Sequence, residues 1–303
     1  MTERVTVSAP GKLMLFGEHA VVYGKPCLVT AVDQRMSVSV EQSVGNKIHL
    51  SAPDVGLSDY KASLHTAPDE LPKQAKFVWA AVNNFFRNNK TPSGLSIVTK
   101  SEFSSEFGFG SSSAVTVGVV KALAKAFEIN LSNNELFDLC YRSVLDVQGV
   151  GSGFDLAAAI WGGTLLFVKG GEKIHQFRIG ELPLVVGFTG IKADTTTLVM
   201  QVADLRIKDP QKVNEIFDLM GNIVGEAKKA LQVENFERLG ELANINQGLL
   251  NALGVSSVEL ENLIHSARQA GAYGAKLSGA GGGDCMIAFV SHKVNSKTVS
   301  SIR

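Results

Sequence analysis

Lys12, Glu18, His19, three consecutive serines at 111–113 and Asp155 are polar residues set among glycines and apolar side chains. Two anion-friendly glycine loops, the lysine Lys12 and the candidate base Asp155 together suit phosphoryl transfer, which needs positioning and charge neutralisation above all. Lys12 ends Ala9-Pro10-Gly11-Lys12, at an expected strand break, where an ammonium can neutralise a phosphoryl group or a substrate oxygen. Glu18 and His19 follow in Gly17-Glu18-His19-Ala20-Val21-Val22-Tyr23-Gly24-Lys25-Pro26. By composition alone, Lys12 equally reads as a surface charge and His19 as a satisfied structural histidine. Gly108-Phe109-Gly110-Ser111-Ser112-Ser113 stands just before a helical pattern. Glycines let a backbone curl around an anion, and a helix N-terminus offers unpaired N–H groups and roughly +0.5 charge. A serine there can reach a metal bridging two phosphates; the plainer reading is a glycine turn with a serine N-cap.

The stretch is neither a Walker A loop nor a Rossmann fingerprint, since no Gly-x4-Gly-Lys-Ser/Thr occurs and a third glycine is missing. No Gly-x-Ser-x-Gly surrounds the serines, which disfavours a serine hydrolase. Gly149-Val150-Gly151-Ser152-Gly153-Phe154-Asp155 places a carboxylate at a helix start, either a cap or a general base beside a phosphate-receiving hydroxyl. Lys276-Leu277-Ser278-Gly279-Ala280-Gly281-Gly282-Gly283-Asp284 permits close approach of a ligand or is simply a tight turn.

These residues need a scaffold of mixed type. Arg4 to Ser8, Leu13 to Phe16, Met36 to Val40 and Ile48 to Leu50 read as strands. From Lys73 the apolar period becomes helical through Phe77, Val78, Ala81, Val82, Phe85 and Phe86, with an end expected in the polar run Arg87 to Lys90. A second helix is expected from the serines to about Phe127, and Ser132-x-x-Glu135 forms a capping box for a third. Thr164 to Val168 and a buried Leu182 to Phe188 read as strands. Helices then cover Val213 to Leu231, Phe236 to Leu253 and Leu260 to Ala267, before a terminal strand from Cys285 to Val290. This is an α+β pattern with two lobes, divided after Trp161-Gly162-Gly163. A further helix start near the end suggests an element beyond Arg303.

Composition narrows the function. The chain has 303 residues, 45% hydrophobic and 19% charged, so it can bury a full core. Twenty-nine basic residues balance twenty-nine acidic ones, which removes the long-range field used to hold nucleic acid or an anionic membrane. Cys27, Cys140 and Cys285 are scattered in apolar stretches, indicating neither disulfides nor a zinc cluster, so a reducing cytosol is the simplest setting. Met1 to Val7 lacks the basic start of a signal peptide, and no apolar run reaches the ~20 residues of a membrane helix.

The ordered motifs resemble the GHMP kinases, and among them the mevalonate kinases. Ala9 to Lys12 with Phe16 to Pro26 is similar to that family's opening motif, Ser101 to Ala114 to its phosphate loop, and Lys276 to Asp284 to its third motif. Asn246-Gln247-Gly248-Leu249-Leu250 with Leu253-Gly254-Val255-Ser256 adds a fourth, and the likeness spans residues 5 to 290 apart from 41 to 75. The resemblance implies a ribosomal-S5-like N-terminal domain over 1–170 and a ferredoxin-like C-terminal domain over 171–303. It also implies ATP-dependent phosphorylation of the 5-hydroxyl of mevalonate in isoprenoid biosynthesis. Asp155 matches the catalytic aspartate and Lys12 its partner lysine; Glu18, His19 and Thr195 match substrate-side positions. Ser101, Glu106, Phe107, Gly108, Phe109, Gly110, Ser111 and Ser112 match ATP-contacting positions, with Ser112 on Mg²⁺, while Gly279, Ala280, Gly281 and Gly282 support the phosphate loop. The implied partners are ATP and mevalonate in the cytoplasm, with a homodimer allowed and neither nucleic acid nor membrane.

Three departures stand out. Val144 occupies the place, eleven residues before Asp155, where the family carries a magnesium-binding glutamate. Asp146 is a candidate substitute; otherwise phosphates and water complete the octahedron. The run Val150-Gly-Ser-Gly-Phe-Asp155 and the ending Gly283-Asp284 look more like the phosphomevalonate kinases, the runner-up reading, ahead of a nucleotide-binding protein without turnover. Glu106 replaces a small residue and must turn outward from the triphosphate.

Overall fold

Pro10 and Gly11 lie inside one strand, β1 (Val5–Phe16), and not at a break between two short ones. A proline is tolerated in a strand where its missing N–H is not needed. Gly11 lets the chain run close to the Phe109 carbonyl, which a Cβ there would meet at 3.0 Å. That carbonyl accepts the Lys12 amide at 2.9 Å.

The computed structural model describes residues 4–87 and 94–291. The rest of the expected polar helix end to Lys90, and any element after residue 291, fall outside them. The chain divides into two units: one of residues up to Lys12, Ala31–Ser105 and Phe109–Gly162, the other of Leu13–Thr30, Glu106–Gly108 and the residues from Gly163 on.

In the first unit, Met36–Gln42 of β2 (Cys27–Gln42) pair antiparallel with β5 (Leu95–Ser101). β3 (Lys47–Ala52) pairs parallel with β5 and antiparallel with β4 (Leu57–Ser63). Helices α1 (Lys76–Phe86), α2 (Ser111–Ala126), α3 (Asn133–Gln148) and α4 (Phe154–Trp161) pack on one another. The α1 stripe buries Val78, Ala81, Val82, Phe85 and Phe86 as expected and Trp79 besides, while Phe77 is only half-buried. The expected capping box is present, with the Ser132 and Glu135 side chains each bonding the other's backbone amide.

In the second unit, Cys27–Thr30 of β2 pair with β6 (Thr164–Val168), which pairs with β7 (Lys173–Phe177). A three-stranded antiparallel sheet runs β8 (Leu184–Phe188), β10 (Cys285–Phe289), β9 (Gly274–Ser278). β8 is half-buried rather than fully buried, with Val186 37% exposed, whereas the other edge strand, β9, is buried throughout. Helices α6 (Pro210–Gln232), α7 (Phe236–Ala252) and α8 (Val258–Gln269) send Phe217, Met220, Leu250, Leu260 and Ile264 into a core shared with Leu277, Met286 and Ala288. A helix that the periodicity does not announce, α5 (Thr195–Lys208), buries only Val202. Among the described residues no helix is long and apolar enough to cross a membrane.

α7 and β9 touch backbone to backbone at Gly240 and Gly274. A Cβ on Gly240 would lie 2.5 Å from the Tyr273 carbonyl carbon and 2.7 Å from the Gly274 nitrogen. Overpacking of this kind costs about 1–3 kcal/mol, more than the ~1 kcal/mol that alanine gains over glycine in a helix. Gly240→Ala is therefore expected to lower the urea midpoint of unfolding; an equal or higher midpoint would mean that the two backbones have room to part.

Candidate active site

Asp155 is the second residue of α4, whose N-cap is Gly153 in a left-handed conformation, φ 91°. A side chain at Gly153 would strike the Phe137 and Tyr141 rings of α3, so α4 starts pressed against that helix. Asp155 is thus not the cap. Its Oδ2 accepts from Ser113 Oγ at 2.6 Å and its Oδ1 from the Leu156 amide at 3.1 Å.

Ser113 is buried in the first turn of α2. The expected serine N-cap is not what begins this helix: the N-cap is Gly110, φ 73°, with no side-chain capping bond. The geometry explains the choice. A Cβ on Gly110 would sit 3.1 and 3.2 Å from Cγ and Cε of Lys12 and 3.6 Å from Cβ of Asp155. The buried Lys12 side chain, Asp155 and the α2 N-terminus therefore converge on one glycine, with Lys12 Nζ 5.3 Å from the centre of the Phe154 ring. A cation, a carboxylate held by a hydroxyl, and a helix start whose amides no side chain caps are the parts that phosphoryl transfer uses. Ser111 and Ser112 are half-buried on the same turn, the Ser112 carbonyl accepting from Thr116 Oγ1 at 2.7 Å.

In the second unit, Glu18 and Lys276 are both 0% exposed and form a buried ion pair. The second Glu18 oxygen accepts from Asn246 Nδ2 at 3.2 Å. Burial pulls the Lys276 ammonium below its ordinary range, and Glu18 opposes that shift. His19, at a positive φ of 57°, donates from Nε2 to the Ala280 carbonyl at 2.9 Å. Gly281 and Gly282 turn under Val255, whose carbonyl accepts the Gly282 amide at 2.7 Å and leaves no space for a side chain on Gly281. Phe107 packs on Phe188 at 5.0 Å, and a Cβ on Gly108 would lie 2.7 Å from Oδ2 of Asp284. Phe109, of the first unit, packs on Phe103 at 5.9 Å. Thr195 is exposed as the first residue of α5, after the N-cap Asp194. Glu106 is exposed, consistent with an outward side chain.

Two further candidates have hydrogen-bond partners of their own in the first unit. Asp146 is exposed on α3 and its Oδ2 accepts from Asn84 Nδ2 of α1 at 2.7 Å, while Val144 faces the core. Ser101 Oγ donates to the Phe103 carbonyl at 2.6 Å, closing a local turn. The sequence alone places Lys276, Asn246 and Asp284 in motifs without giving any of them a role of its own, and presents Ser113 only as one of three serines that cap the helix or reach a metal. A lysine and an aspartate bounding a glycine loop beside an apolar strand are the available signal.

The family model described as "GHMP kinases N terminal domain" matches residues 76–163, and "GHMP kinases C terminal" matches 227–302. A mevalonate kinase of Pyrococcus furiosus is 38% identical over 96% of this chain and 90% of its own length. The crystal structure of the Methanococcus jannaschii mevalonate kinase superposes with a TM-score of 0.85 at 27% identity, covering 99% of this chain and 95% of that one. The L. major mevalonate kinase in complex with R-mevalonate gives 0.79 at 26% identity, covering 100% and 93%.

Burial is the largest influence on His19 and holds its pKa below the ordinary 6.5, against smaller opposing effects of the Ala280 carbonyl and Glu18. The folded state therefore binds fewer protons than the unfolded state as pH falls through 6.5, and stability declines there, whereas above 6.5 this residue contributes no slope. His19→Asn, which does not titrate and places a residue type enriched at positive φ, is expected to flatten that part of a plot of unfolding free energy against pH. An unchanged slope would locate the titrating group elsewhere.

Proposed function

This chain belongs to the GHMP kinase family, and from that premise we propose that it transfers the γ-phosphoryl group of ATP to the 5-hydroxyl of mevalonate. The convergence of Lys12, Asp155 and the α2 N-terminus on Gly110 is the observation that carries the reaction type. Near-full-length similarity to mevalonate kinases supports the acceptor.

Asp155 takes the proton of the acceptor hydroxyl as that oxygen bonds to the γ-phosphorus and the bond to ADP breaks. Ser113 keeps the carboxylate turned towards α2 by donating to Oδ2. Lys12 offsets the charge that develops on the attacking oxygen and the transferring group. The α2 amides receive phosphate oxygens, since no side chain caps them.

The donor set near α2 also fits a hard cation: the Ser112 hydroxyl, phosphate oxygens and water suit the octahedral oxygen coordination of Mg²⁺. When bound, that ion would neutralise the triphosphate. Asp146 is left out of this set because Asn84 holds its carboxylate. On the acceptor side, His19 and Thr195 contact mevalonate, while Glu18, with both oxygens occupied, acts by fixing the backbone beside His19. The Gly283-Asp284 ending does not argue for phosphomevalonate, because Asp284 is consumed by contacts within the chain. Three buried cysteines outside any disulfide fit a reducing, cytosolic setting.

ADP release measured in parallel with mevalonate and phosphomevalonate tests the acceptor directly, with turnover expected for mevalonate. Asp155→Asn should fold normally and lose roughly 10² or more in kcat. Ser113→Ala should lower kcat about tenfold, the worth of a hydrogen bond to a charged group, with both KM values little changed. Near-normal turnover in Asp155→Asn would remove Asp155 from the chemistry.

A further inference from the structure

We propose that Asp284 is a positioning residue that holds the nucleotide-side segment Glu106–Gly108 and the segment leading into α5 in one fixed arrangement. The proposal rests on the kinase reading above and adds to it a residue that serves both substrates.

Asp284 follows Gly283 at the point where β10 is about to begin opposite the end of β8. Its main chain extends that ladder beyond its last strand residues. The Asp284 amide donates to the Ile191 carbonyl at 2.8 Å, and its own carbonyl accepts from the Thr189 amide at 2.9 Å and from Thr189 Oγ1 at 3.0 Å. Its side chain does what the ladder cannot. Oδ1 accepts the Ala193 amide at 3.0 Å and lies 3.7 Å from Lys192 Nζ, fixing the last turn of chain before the N-cap Asp194. The rest of the side chain packs on Gly108, where a Cβ would come within 2.7 Å of Oδ2, 2.8 Å of Cβ and 2.9 Å of Cγ.

The residue is 8% exposed and left-handed at φ 54°, a conformation that glycine adopts without strain and aspartate tolerates less readily. A turn needing only that backbone shape would be served better by glycine. The side chain meets two different segments, one by a hydrogen bond and an ion pair through Oδ1 and the other by packing on Gly108. One segment carries Gly108 of the phosphate loop; the other leads to Thr195, on the acceptor side. Neither Lys12 nor Asp155 is among these contacts, so the loss of Asp284 should loosen substrate binding and spare the chemical step.

Three variants separate shape, charge and hydrogen bonding. Asp284→Gly relieves φ and removes both side-chain contacts. Asp284→Asn keeps an acceptor for Ala193 and tolerates the left-handed backbone. Asp284→Ala removes the contacts and keeps the strain. We expect Asp284→Gly and Asp284→Ala to raise KM for ATP and for mevalonate by about fivefold or more, with kcat within about twofold, and Asp284→Asn to stay close to the parent protein. Calorimetric titration with ADP alone should show the same weakening in the first two variants. Parent-like KM values in Asp284→Gly would reduce the residue to a backbone-shape role and overturn the proposal, as would a rise confined to one substrate or a fall in kcat alone. If the parent protein turned over no mevalonate, the acceptor reading would fail while the ADP titrations still decided the role of Asp284.

Discussion

The buried pair of Lys276 and Glu18 is the constraint on which the second unit is organised. Two charges at 0% exposure are stable only when each satisfies the other, and removing one partner from such a pair costs about 3–5 kcal/mol. Lys276 stands mid-strand in β9, next to Leu277, whose amide is held by Gln247 of α7 at 2.9 Å. Glu18 follows β1 directly and is bonded to Asn246 of the same helix. One ion pair and one helix turn therefore fix where the chain leaves β1 and where it leaves β9. Ser278 repeats the tie, accepting the Met14 amide at 3.0 Å and donating to the Met14 carbonyl at 2.9 Å. His19 and the Gly279–Asp284 loop are the immediate neighbours of these fixed points, so their positions are inherited from the pair.

A hydrophobic replacement of such a pair is often no less stable, so stability alone does not account for it. Its ionic character does give a register. Lys276 has one buried carboxylate to find, and a strand slipped by one residue would place the ammonium on the opposite face. An apolar pair would accept several such arrangements.

What was legible in the sequence was local. Ser132 and Glu135 announce α3 because a capping box is complete within four residues. The α6 and α8 stripes are legible because each buries one apolar face on a common core. Non-local contacts were not legible. Which residue caps α2 depends on Asp155, 42 positions later, which draws Ser113 away from capping. Whether Glu18 faces a ligand or a counter-ion depends on Lys276, 258 positions later. α5 escaped notice because a helix that buries only Val202 writes almost no period into its sequence. β9 escaped because its central residue is a lysine, and only the distant Glu18 makes that residue a core residue.

The vacant glutamate position follows from the same reasoning. Val144 is buried on α3, and a carboxylate there would need a partner or else pay the desolvation cost of an unpaired charge. Asp146, two residues on, faces a different direction, since successive helical residues turn by about 100°, and it is fixed to α1 through Asn84. In the proposed reaction, the negative charge nearest the transferring group thus comes from Asp155 and the substrates, set against Lys12 and the α2 N-terminus. Fewer carboxylates around a triphosphate mean less repulsion to be neutralised before it binds. They also place more of the burden of orientation on hydrogen bonds such as that from Ser113, whose geometry, unlike a charge, cannot be supplied by counter-ions from solution.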